Sequence, residues 1–496
     1  MYKISYKEIL YLKCNLAPSQ LTILDIPNKN IKLVRDLLDR KLIYSDKGIE
    51  IGSVNYISRS SHFFMKAKAL QSNYFMPFLD NESVIPIRPQ VFKDFKLNEG
   101  DIIISKDSNI GESAILDKNY PNYALSGALY KLPITKHKLY LFAFLKHDYF
   151  KKQLSILVPK GSIISHAKTL FLGCKIPFPN QKNANEVIRY IELLTQAIIN
   201  KEKEIGRKNK LILYSIKNEI VENQKRNRFN YKLPSIKDIK KIKRLDTGLY
   251  SEEFKRLDYL IKNYKFGISD IETLGYNISR GQNLQISNIG KSIYSEKYKF
   301  NFYKLLLSKY FTDYMTVANE LYLGNSKKLK TVNKGEIIFS SRGNLGRVVV
   351  LCDEIENTIT NIDNFHITNL KTTLTQNIFI GVFLNFLKAN NYLSKIAITG
   401  SGADSFTKYQ FKLIPIPNFQ ESKQKEIAEL YHNRINYPNN LNLENFLEED
   451  KKWNEKAGII EIDKSIKTIK KMLDTALDKI INDEGIEINL EFNFLA

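Results

Sequence analysis

A long internal repeat limits the fold of this sequence more than any other feature. Residues 98–111 (NEGDIIISKDSNIG) and 333–346 (NKGEIIFSSRGNLG) share glycine, serine and asparagine at a constant interval of 235 positions. Two further matches follow in the same order: Gly-Ser at 161–162 and 400–401, and Ile-Pro-x-Pro-Asn at 176–180 and 414–418. An interval this long indicates two copies of a whole domain, because solenoid units are only about 20–45 residues long.

Each copy is predicted to combine short strands with a helix. An apolar run (102–104 and 337–339) follows a Gly-acid turn, and a second run (113–116 and 348–351) follows a polar, glycine-containing turn. Short apolar runs between turns are typical of buried strands. A helical segment follows in each copy, and the Pro-x-Pro pair ends the domain because proline continues neither a helix nor a central strand.

Two long helices with apolar seams are predicted after the two Pro-x-Pro pairs. Residues 183–223 contain no proline and one glycine, and isoleucine recurs every seven residues, which favours a long helix. We expect the two helices to pair antiparallel; the alternative is that each seam packs on its own domain. The first seam consists of Ile191, Ile198, Ile205 and Ile212, and the second of Ile459, Ile462, Ile466, Ile469, Leu473, Ala476 and Ile480.

An acidic segment at 436–458 interrupts the second helical region and has no counterpart after the first copy. It carries Trp453, the single tryptophan of the chain. Two interpretations stay open, a surface for another protein and a simple elaboration of a loop.

The charge balance favours a polyanionic partner. Lysine and arginine outnumber acidic residues by 75 to 53, a net charge of +22, which indicates nucleic acid first and an anionic membrane surface second. Residues 201–250, at the junction of the copies, hold 15 basic and 6 acidic residues, whereas 441–496 hold 8 and 13. A phosphate backbone that passes both domains would meet this basic surface. No apolar stretch long enough for a membrane span is present.

Several kinds of catalysis lack their motifs. The chain has no Pro-Pro pair for the target loop of an amino-methyltransferase, no phosphate-binding Gly-x-x-x-x-Gly-Lys loop, and no clustered histidines. Glu253 and Lys255 with Asp246 form only a loose nuclease pattern. Cys14, Cys174 and Cys352 are far apart, so we expect neither a disulfide nor a zinc site, and a reducing cytoplasm as location. We therefore expect a chain that binds and does not catalyse.

The ordered, duplicated motifs resemble the specificity subunits of type I restriction-modification systems. The resemblance covers residues 12–485 and rests on the two strand motifs and the two Ile-Pro-x-Pro exits. Arg244-Leu245-Asp246, followed by Ile278-Ser279-Arg280-Gly281, resembles a common opening of a recognition domain. The first copy lacks the Arg-Leu-Asp opening, and the Pro-Pro of many family exits is Pro-Asn here.

This resemblance implies an α/β (α+β) fold with two tandem target recognition domains, joined by two long antiparallel coiled-coil helices. The first domain would span 1–180 and the first helix 181–228. The second domain would span 229–418, and the second helical region, with its insertion, 419–496.

The resemblance also implies the function and the partners. Each domain would read one half of a split sequence in double-stranded DNA, and the helices would set the gap and dock two modification (methyltransferase) subunits. Those subunits would carry S-adenosylmethionine, and restriction subunits would bring ATP and magnesium. An alternative is a stand-alone tandem nucleic-acid-binding protein, or the specificity component of a related phage-defence complex without a restriction subunit. A nuclease and a coiled-coil scaffold are further alternatives.

The expected DNA contacts lie in two kinds of loop. Arginine can bind guanine and asparagine adenine through paired hydrogen bonds, whereas lysine and serine suit phosphates. Asn109 and Asn344 have an alternative role as turn formers, since they recur in two domains expected to read different sequences. The expected contacts are Lys106, Ser108 and Asn109 with Lys160, Ser162 and Lys168 in the first copy, and Arg342, Asn344 and Arg347 with Ser401 and Lys408 in the second.

Overall fold

The computed structural model describes residues 24, 26–158, 168–225, 228–242, 244–400 and 403–491. The chain divides into two compact units. Unit 1 comprises Met1–Glu204, Asn436–Glu455 and Asp463–Ala496, and unit 2 comprises Ile205–Ile435 and Lys456–Ile462.

Unit 1 is built from three small sheets and short helices. Its strands are β1 (Ile31–Leu33), β2 (Phe63–Met65), β3 (Val84–Pro86), β4 (Ile102–Ser105), β5 (Ser113–Ile115), β6 (Tyr123–Leu125), β7 (Leu129–Leu132) and β8 (Lys175–Pro177). Its helices are α1 (Val34–Leu37), α2 (Lys138–Lys146) and α3 (Asp148–Leu157), followed by α4 (Ala184–Glu222), whose second half belongs to unit 2. The sheets have the strand orders β5-β4-β7, β3-β2-β6 and β1-β8.

Unit 2 has the same kinds of sheet with more strands. Its helices are α5 (Ile236–Ile242), α6 (Glu252–Lys262), α7 (Ile286–Ile289), α8 (Leu374–Ala389), α9 (Tyr392–Ile396), α10 (Lys408–Phe411) and α11 (Glu421–Tyr431). Its strands are β9 (Ile268–Ser269), β10 (Asn277–Arg280), β11 (Ile293–Ser295), β12 (Tyr303–Leu306), β13 (Leu321–Gly324), β14 (Ile337–Ser340), β15 (Val348–Val350), β16 (Thr358–Thr360), β17 (Asn364–Thr368), β18 (Ile398–Gly400), β19 (Ala403–Ser405) and β20 (Ile416–Pro417).

The sheets of unit 2 have the orders β10-β17-β14-β15, β11-β13-β12-β16, β18-β19 and β20-β9. The chain ends with α12 (Phe446–Lys456) and α13 (Ile459–Ile481). The expected mixture of helix and strand is therefore confirmed.

The sequence repeat is also a repeat of strand pairing. β4 pairs with β5 so that Ile102 faces Ile115, and β14 pairs with β15 so that Ile337 faces Val350, 235 positions later. The antiparallel pairing of β4 with β7 recurs in β14 with β17 at the same interval. The parallel pair β2–β6 recurs as β12–β16. Both units therefore contain one common framework of strands.

Each framework carries an acid–base pair at equivalent positions. In unit 1, Lys131 Nζ lies 2.7 Å from Asp101, and in unit 2, 235 positions later, His366 Nδ1 lies 3.7 Å from Glu336. His366 is buried, and its Nε2 lies 2.6 Å from Thr360 Oγ1. Burial, with a smaller contribution from the nearby Lys330, lowers the pKa of His366 to about 4.

The two long helices run antiparallel where both belong to unit 1. Glu202 of α4 forms an ion pair with Lys470 of α13 at 3.2 Å, whereas Gln181, before α4, accepts a hydrogen bond from the backbone of Ile486, after α13, at 2.7 Å. Residue numbers therefore rise along one helix as they fall along the other. The expected long helices are confirmed, and all the seam residues named above are buried.

The insertion at 436–458 is anchored to α4 by a buried ion pair. Lys201 Nζ lies 2.6 Å from Asp450 Oδ1, and the two side chains are 0% and 1% exposed. Tyr437 donates to Asp450 at 2.5 Å, and Lys201 lies 4.6 Å from the centre of the Trp453 ring. Trp453 itself is buried. Burial lowers the pKa of Lys201, and the Asp450 carboxylate opposes this shift.

The sequence predicted neither a disulfide nor a membrane span. Cys174 and Cys352 are buried and form no disulfide within the described residues, and Cys14 lies outside these ranges. None of the described helices combines the length and hydropathy that a membrane crossing needs.

The buried His366 should make unit 2 sensitive to acid. With a folded pKa of about 4 against 6.5 in the unfolded chain, the unfolded state binds the extra proton between these values, so stability falls as pH falls from 6.5 to 4. We expect a loss of about 2 kcal/mol between pH 7 and pH 5. Urea unfolding at both pH values should show it, and His366→Gln should reduce the difference. An unchanged pH dependence in this variant would contradict the assignment.

Loss of the buried ion pair between Lys201 and Asp450 should destabilise the protein. Asp450→Asn preserves the shape of the side chain but leaves the Lys201 charge buried without its partner, so the free energy of unfolding should fall by about 3 kcal/mol. Chemical denaturation measures this change. Glu448→Gln, which removes an exposed partner of Lys452 in the same segment, is the control and should have little effect. Similar effects of both substitutions would argue against a structural role for the buried pair.

Candidate nucleic-acid interface

The turn that follows β4 in unit 1 and the turn that follows β14 in unit 2 have the same backbone conformation. The Ser105 hydroxyl donates to the Asp107 carbonyl oxygen at 2.7 Å, and the Ser340 hydroxyl donates to the Arg342 carbonyl oxygen at 3.1 Å. Both serines are buried at the end of β4 or β14. These hydrogen bonds fold the chain back at the strand end and present the next residues at the surface.

A glycine closes each turn. Gly111 and Gly346 have φ values of 79° and 78°, a region that disfavours other residues. A Cβ atom on Gly111 would lie 2.5 Å from Leu154 Cδ1, and one on Gly346 would lie 2.8 Å from Leu393 Cδ1. The glycines therefore serve both the turn geometry and the close packing of the helix that follows.

The two asparagines of the motif tie the turn to a neighbouring loop. Asn109 Nδ2 donates to the Leu70 carbonyl oxygen at 3.4 Å, and Asn344 Nδ2 donates to the Ser308 carbonyl oxygen at 3.3 Å. Equivalent long hydrogen bonds at equivalent positions support the turn-forming role for both side chains, the alternative to contact with adenine.

The side chains at the tip of the turn differ between the units. In unit 1, Lys106 forms an ion pair with Asp107, and both side chains are largely buried, while Ser108 is exposed with a φ of 61°. In unit 2, Arg342 takes the position of Asp107 and is exposed. The tip in unit 1 thus contains a neutralised pair of charges, whereas the tip in unit 2 presents a cation.

A second arginine, absent from the expected contacts, lies near Arg342. Arg280, at the end of β10, donates to Ser341 Oγ at 3.2 Å and to the Ile362 carbonyl oxygen at 2.9 Å. Its guanidinium lies 4.2 Å from the centre of the Phe365 ring. Burial and the neighbouring Arg342 lower the pKa of Arg280, and the Asp363 carboxylate opposes this shift. The signal for Arg280 in the sequence was its place in the Ile-Ser-Arg-Gly run, which indicated an opening motif and no contact.

The arginine pair forms a candidate anion site. Neither Arg280 nor Arg342 has a carboxylate within 4 Å among the described residues. In unit 1, Lys47 takes the position of Arg280, since it pairs with Tyr130 as Arg280 pairs with Phe365. Two neighbouring guanidinium groups without a carboxylate in direct contact attract phosphate oxygens, for which arginine provides several donors in one plane.

The hairpin β18–β19 of unit 2 lies beside this turn. Arg342 pairs with Ser405, and the Phe406 backbone N–H donates to the Ser341 carbonyl oxygen at 3.0 Å. Lys408 is exposed at the start of α10. The structure thus brings the two expected loops of the second copy together. Ser401 lies outside the described residues.

The other four expected contacts are Arg347, Lys168, Lys160 and Ser162. Arg347 is occupied within unit 2, because its guanidinium donates to the Phe311 carbonyl oxygen at 2.5 Å and lies 3.4 Å from Asp313. Lys168 is exposed with a φ of 47°. Lys160 and Ser162 lie outside the described ranges.

Asp246 and Lys255, two residues of the loose nuclease pattern, contact other residues of unit 2. Asp246 forms an ion pair with Arg244 at 2.5 Å, and Lys255 lies 5.5 Å from the centre of the Tyr250 ring. No group of three or more His, Cys, Asp or Glu side chains that could hold a metal ion occurs in the part of the chain that the structure describes.

Comparison with solved structures finds matches at low sequence identity to chains from type I restriction-modification systems. The S subunit of a type I restriction-modification system from M. genitalium is 13% identical, with 93% of this chain and 98% of that chain covered and a TM-score of 0.42. The HsdS subunit from Thermoanaerobacter tengcongensis is 12% identical, with 94% and 96% covered and a TM-score of 0.26. A chain from a study of type I assembly and conformational transition is 11% identical, with 92% and 99% covered and a TM-score of 0.29.

Comparison with curated proteins finds no match. A family model, described as the type I restriction modification DNA specificity domain, matches residues 47–211. This segment contains β2 to β8 and most of α4, and it includes the Gly-Asp-Ile strand motif and the first Pro-x-Pro exit. Residues 47–211 are therefore similar to the type I restriction modification DNA specificity domain, the family that the motifs resemble.

Proposed function

We propose that this protein is the specificity subunit of a type I restriction-modification complex and reads a split sequence in double-stranded DNA. Its two repeated domains, at 1–180 and 229–418, would each recognise one half of the target. One observation carries the proposal: the strand pairings of unit 1 recur in unit 2 at an interval of 235 positions, while the exposed residues at the turn differ.

A shared framework with different surface residues suits two readers of different sequences. Backbone framework fixes how a domain approaches DNA, and side chains at base edges determine which sequence it prefers. The Asp107 and Arg342 positions illustrate the difference, because one is neutralised by Lys106 and the other is free of a carboxylate partner among the described residues. Two identical domains would instead read two copies of one sequence.

The charge distribution supports DNA as the ligand. The net charge of +22, with 15 basic and 6 acidic residues at 201–250, favours binding to a phosphate backbone with release of counterions. The arginine pair of unit 2 would bind a phosphate. Arg342 is exposed for this contact, and Arg280 is held in place by hydrogen bonds and by the Phe365 ring.

The long helices would set the gap between the half-sites and dock the modification subunits. The 39 residues of α4 give a length of about 60 Å, which corresponds to about 18 base pairs of DNA. The seam isoleucines are buried within the chain, so a docked subunit would contact other faces of α4 and α13. Two modification subunits with S-adenosylmethionine would supply methylation, and restriction subunits would supply ATP- and magnesium-dependent cleavage.

Methylation mapping tests this function. Cells with the gene should carry adenine methylation at a two-part motif, and cells without it should lose that motif. Exchange of residues 245–418 with those of a relative should change one half of the motif and leave the other half unchanged. Loss of no motif, or a change in both halves, would contradict the proposal. Absence of a co-purifying methyltransferase would favour a stand-alone nucleic-acid-binding protein.

The role of the arginine pair can be tested separately. Arg342→Ala should weaken binding of target and random DNA alike by about three- to tenfold at low salt, and should reduce the slope of log K against log salt by about one. Fluorescence anisotropy over a salt series measures both quantities. Arg256→Ala, which removes an exposed arginine of α6, is the matched control. An unchanged slope in Arg342→Ala would exclude a phosphate contact there.

A further inference from the structure

Unit 2 contains a segment that is longer than its counterpart in unit 1. Ile49 and Gln282 occupy equivalent positions, since they form parallel bridges to residues 235 positions apart, and Phe63 and Lys304 are equivalent for the same reason. Ile49 and Phe63 are 14 positions apart in unit 1, whereas Gln282 and Lys304 are 22 positions apart in unit 2. The common framework therefore carries eight additional residues at this place in unit 2.

The additional residues extend an edge strand. In unit 1, a single bridge joins Tyr56 to Ile87, next to β3. In unit 2, Tyr294 pairs with Leu323 as part of the three-residue strand β11, which lies at the edge of the sheet β11-β13-β12-β16. Unit 2 thus has an additional strand where unit 1 has one bridge.

Side chains that follow β13 fasten the additional segment to the sheet. Asn325 Nδ2 donates to the carbonyl oxygens of Ile289 and Lys291, at 3.1 and 3.4 Å, and to Ser292 Oγ at 2.8 Å. Lys327 Nζ also donates to the Asn288 carbonyl oxygen at 3.1 Å. These contacts order the chain before β11, so its side chains are positioned without a ligand.

Large apolar side chains of this segment point into solvent. Phe300 is 81% exposed and Tyr298 is 71% exposed, although the Tyr298 ring also contacts Tyr322 edge-on at 5.7 Å. Clusters of exposed apolar side chains mark surfaces that bind a partner. The other exposed members are Ile286, Ile293 and Tyr294.

Lysines surround the apolar side chains. Between 286 and 300 there are three lysines, Lys291, Lys297 and Lys299, and one acidic residue, Glu296. Lys327 and Lys328 are exposed on the chain that follows β13. A surface of aromatic and basic side chains complements DNA, since the lysines suit phosphates and the rings suit base edges and base faces.

We propose that residues 286–300, referred to as the β11 segment, form the surface with which unit 2 contacts the bases of its own half of the target. This inference rests on the proposed function. Two domains that read different sequences must differ where they contact bases, and the interval from Gln282 to Lys304, which contains the β11 segment, is eight residues longer than its counterpart in unit 1. Tyr298 and Phe300 make the apolar base contacts, and the lysines hold the adjacent phosphates.

The test compares full-length variants on DNA that carries the mapped target. Tyr298→Ser with Phe300→Ser should weaken binding to the complete target about tenfold or more, and binding to random DNA should change less than twofold. Leu370→Ser is the matched control, because Leu370 is a fully exposed apolar residue of the same unit, and it should bind target as the wild type does. Unchanged thermal unfolding shows that the variants are folded.

A second measurement separates the two halves of the target. On DNA in which the half read by unit 2 is scrambled, the double variant and the wild type should bind equally, because the contacts under test are already lost. Lys291→Gln with Lys297→Gln and Lys299→Gln should weaken binding to every DNA and lower the salt slope.

Two results would overturn the inference. An equal loss on target and random DNA would make the β11 segment a sequence-independent contact. Normal DNA binding with a weaker association of the methyltransferase would make it a protein-docking surface. A wild-type protein that does not distinguish target from random DNA would instead contradict the proposed function, so the two failures are distinguishable.

Discussion

Both copies of the repeat depend on one short strand, β4 in unit 1 and β14 in unit 2, in which every residue is buried. Backbone groups in such a strand have no water to bind, so the two flanking strands must satisfy them. A shift of one residue would also turn each side chain to the opposite face of the sheet. The buried serine and the positive-φ glycine then close the turn within a fixed number of residues. This constraint explains why spacing is retained between copies whose other residues differ.

The same constraint separates residues that maintain the framework from residues that face a partner. The asparagines of the motif bind backbone oxygens of neighbouring loops, and the glycines allow close packing of the following helix. Exposed side chains, such as Arg342 at the tip and Phe300 of the β11 segment, have no such role. Differences between the units are therefore concentrated on surfaces where a change costs the fold little and can alter binding.

The repeat, the strands and the long helices were predictable because buried periodic positions have strong patterns in the sequence. The isoleucine seams recur every seven residues, and all their members are buried. The tip of the turn was harder to predict. Sequence does not show that the adjacent side chains of Lys106 and Asp107 pair with each other, and the partners of Arg347, Phe311 and Asp313, are distant in sequence. Arg280 and the β11 segment lie outside the part of the repeat with the constant interval of 235 positions. The copies differ in length there, so the interval could not identify Lys47 as the counterpart of Arg280 or reveal the longer segment of unit 2.

Equal registers in β4 and β14 also affect how such a gene can change. A crossover between the two coding repeats inside this strand would join the amino-terminal part of one copy to the carboxy-terminal part of the other. Every pairing with the flanking strands would be kept, because partner residues follow at the same distance in both copies. Recombination within β4 or β14 can thus produce new combinations of surface loops while the strand framework is kept.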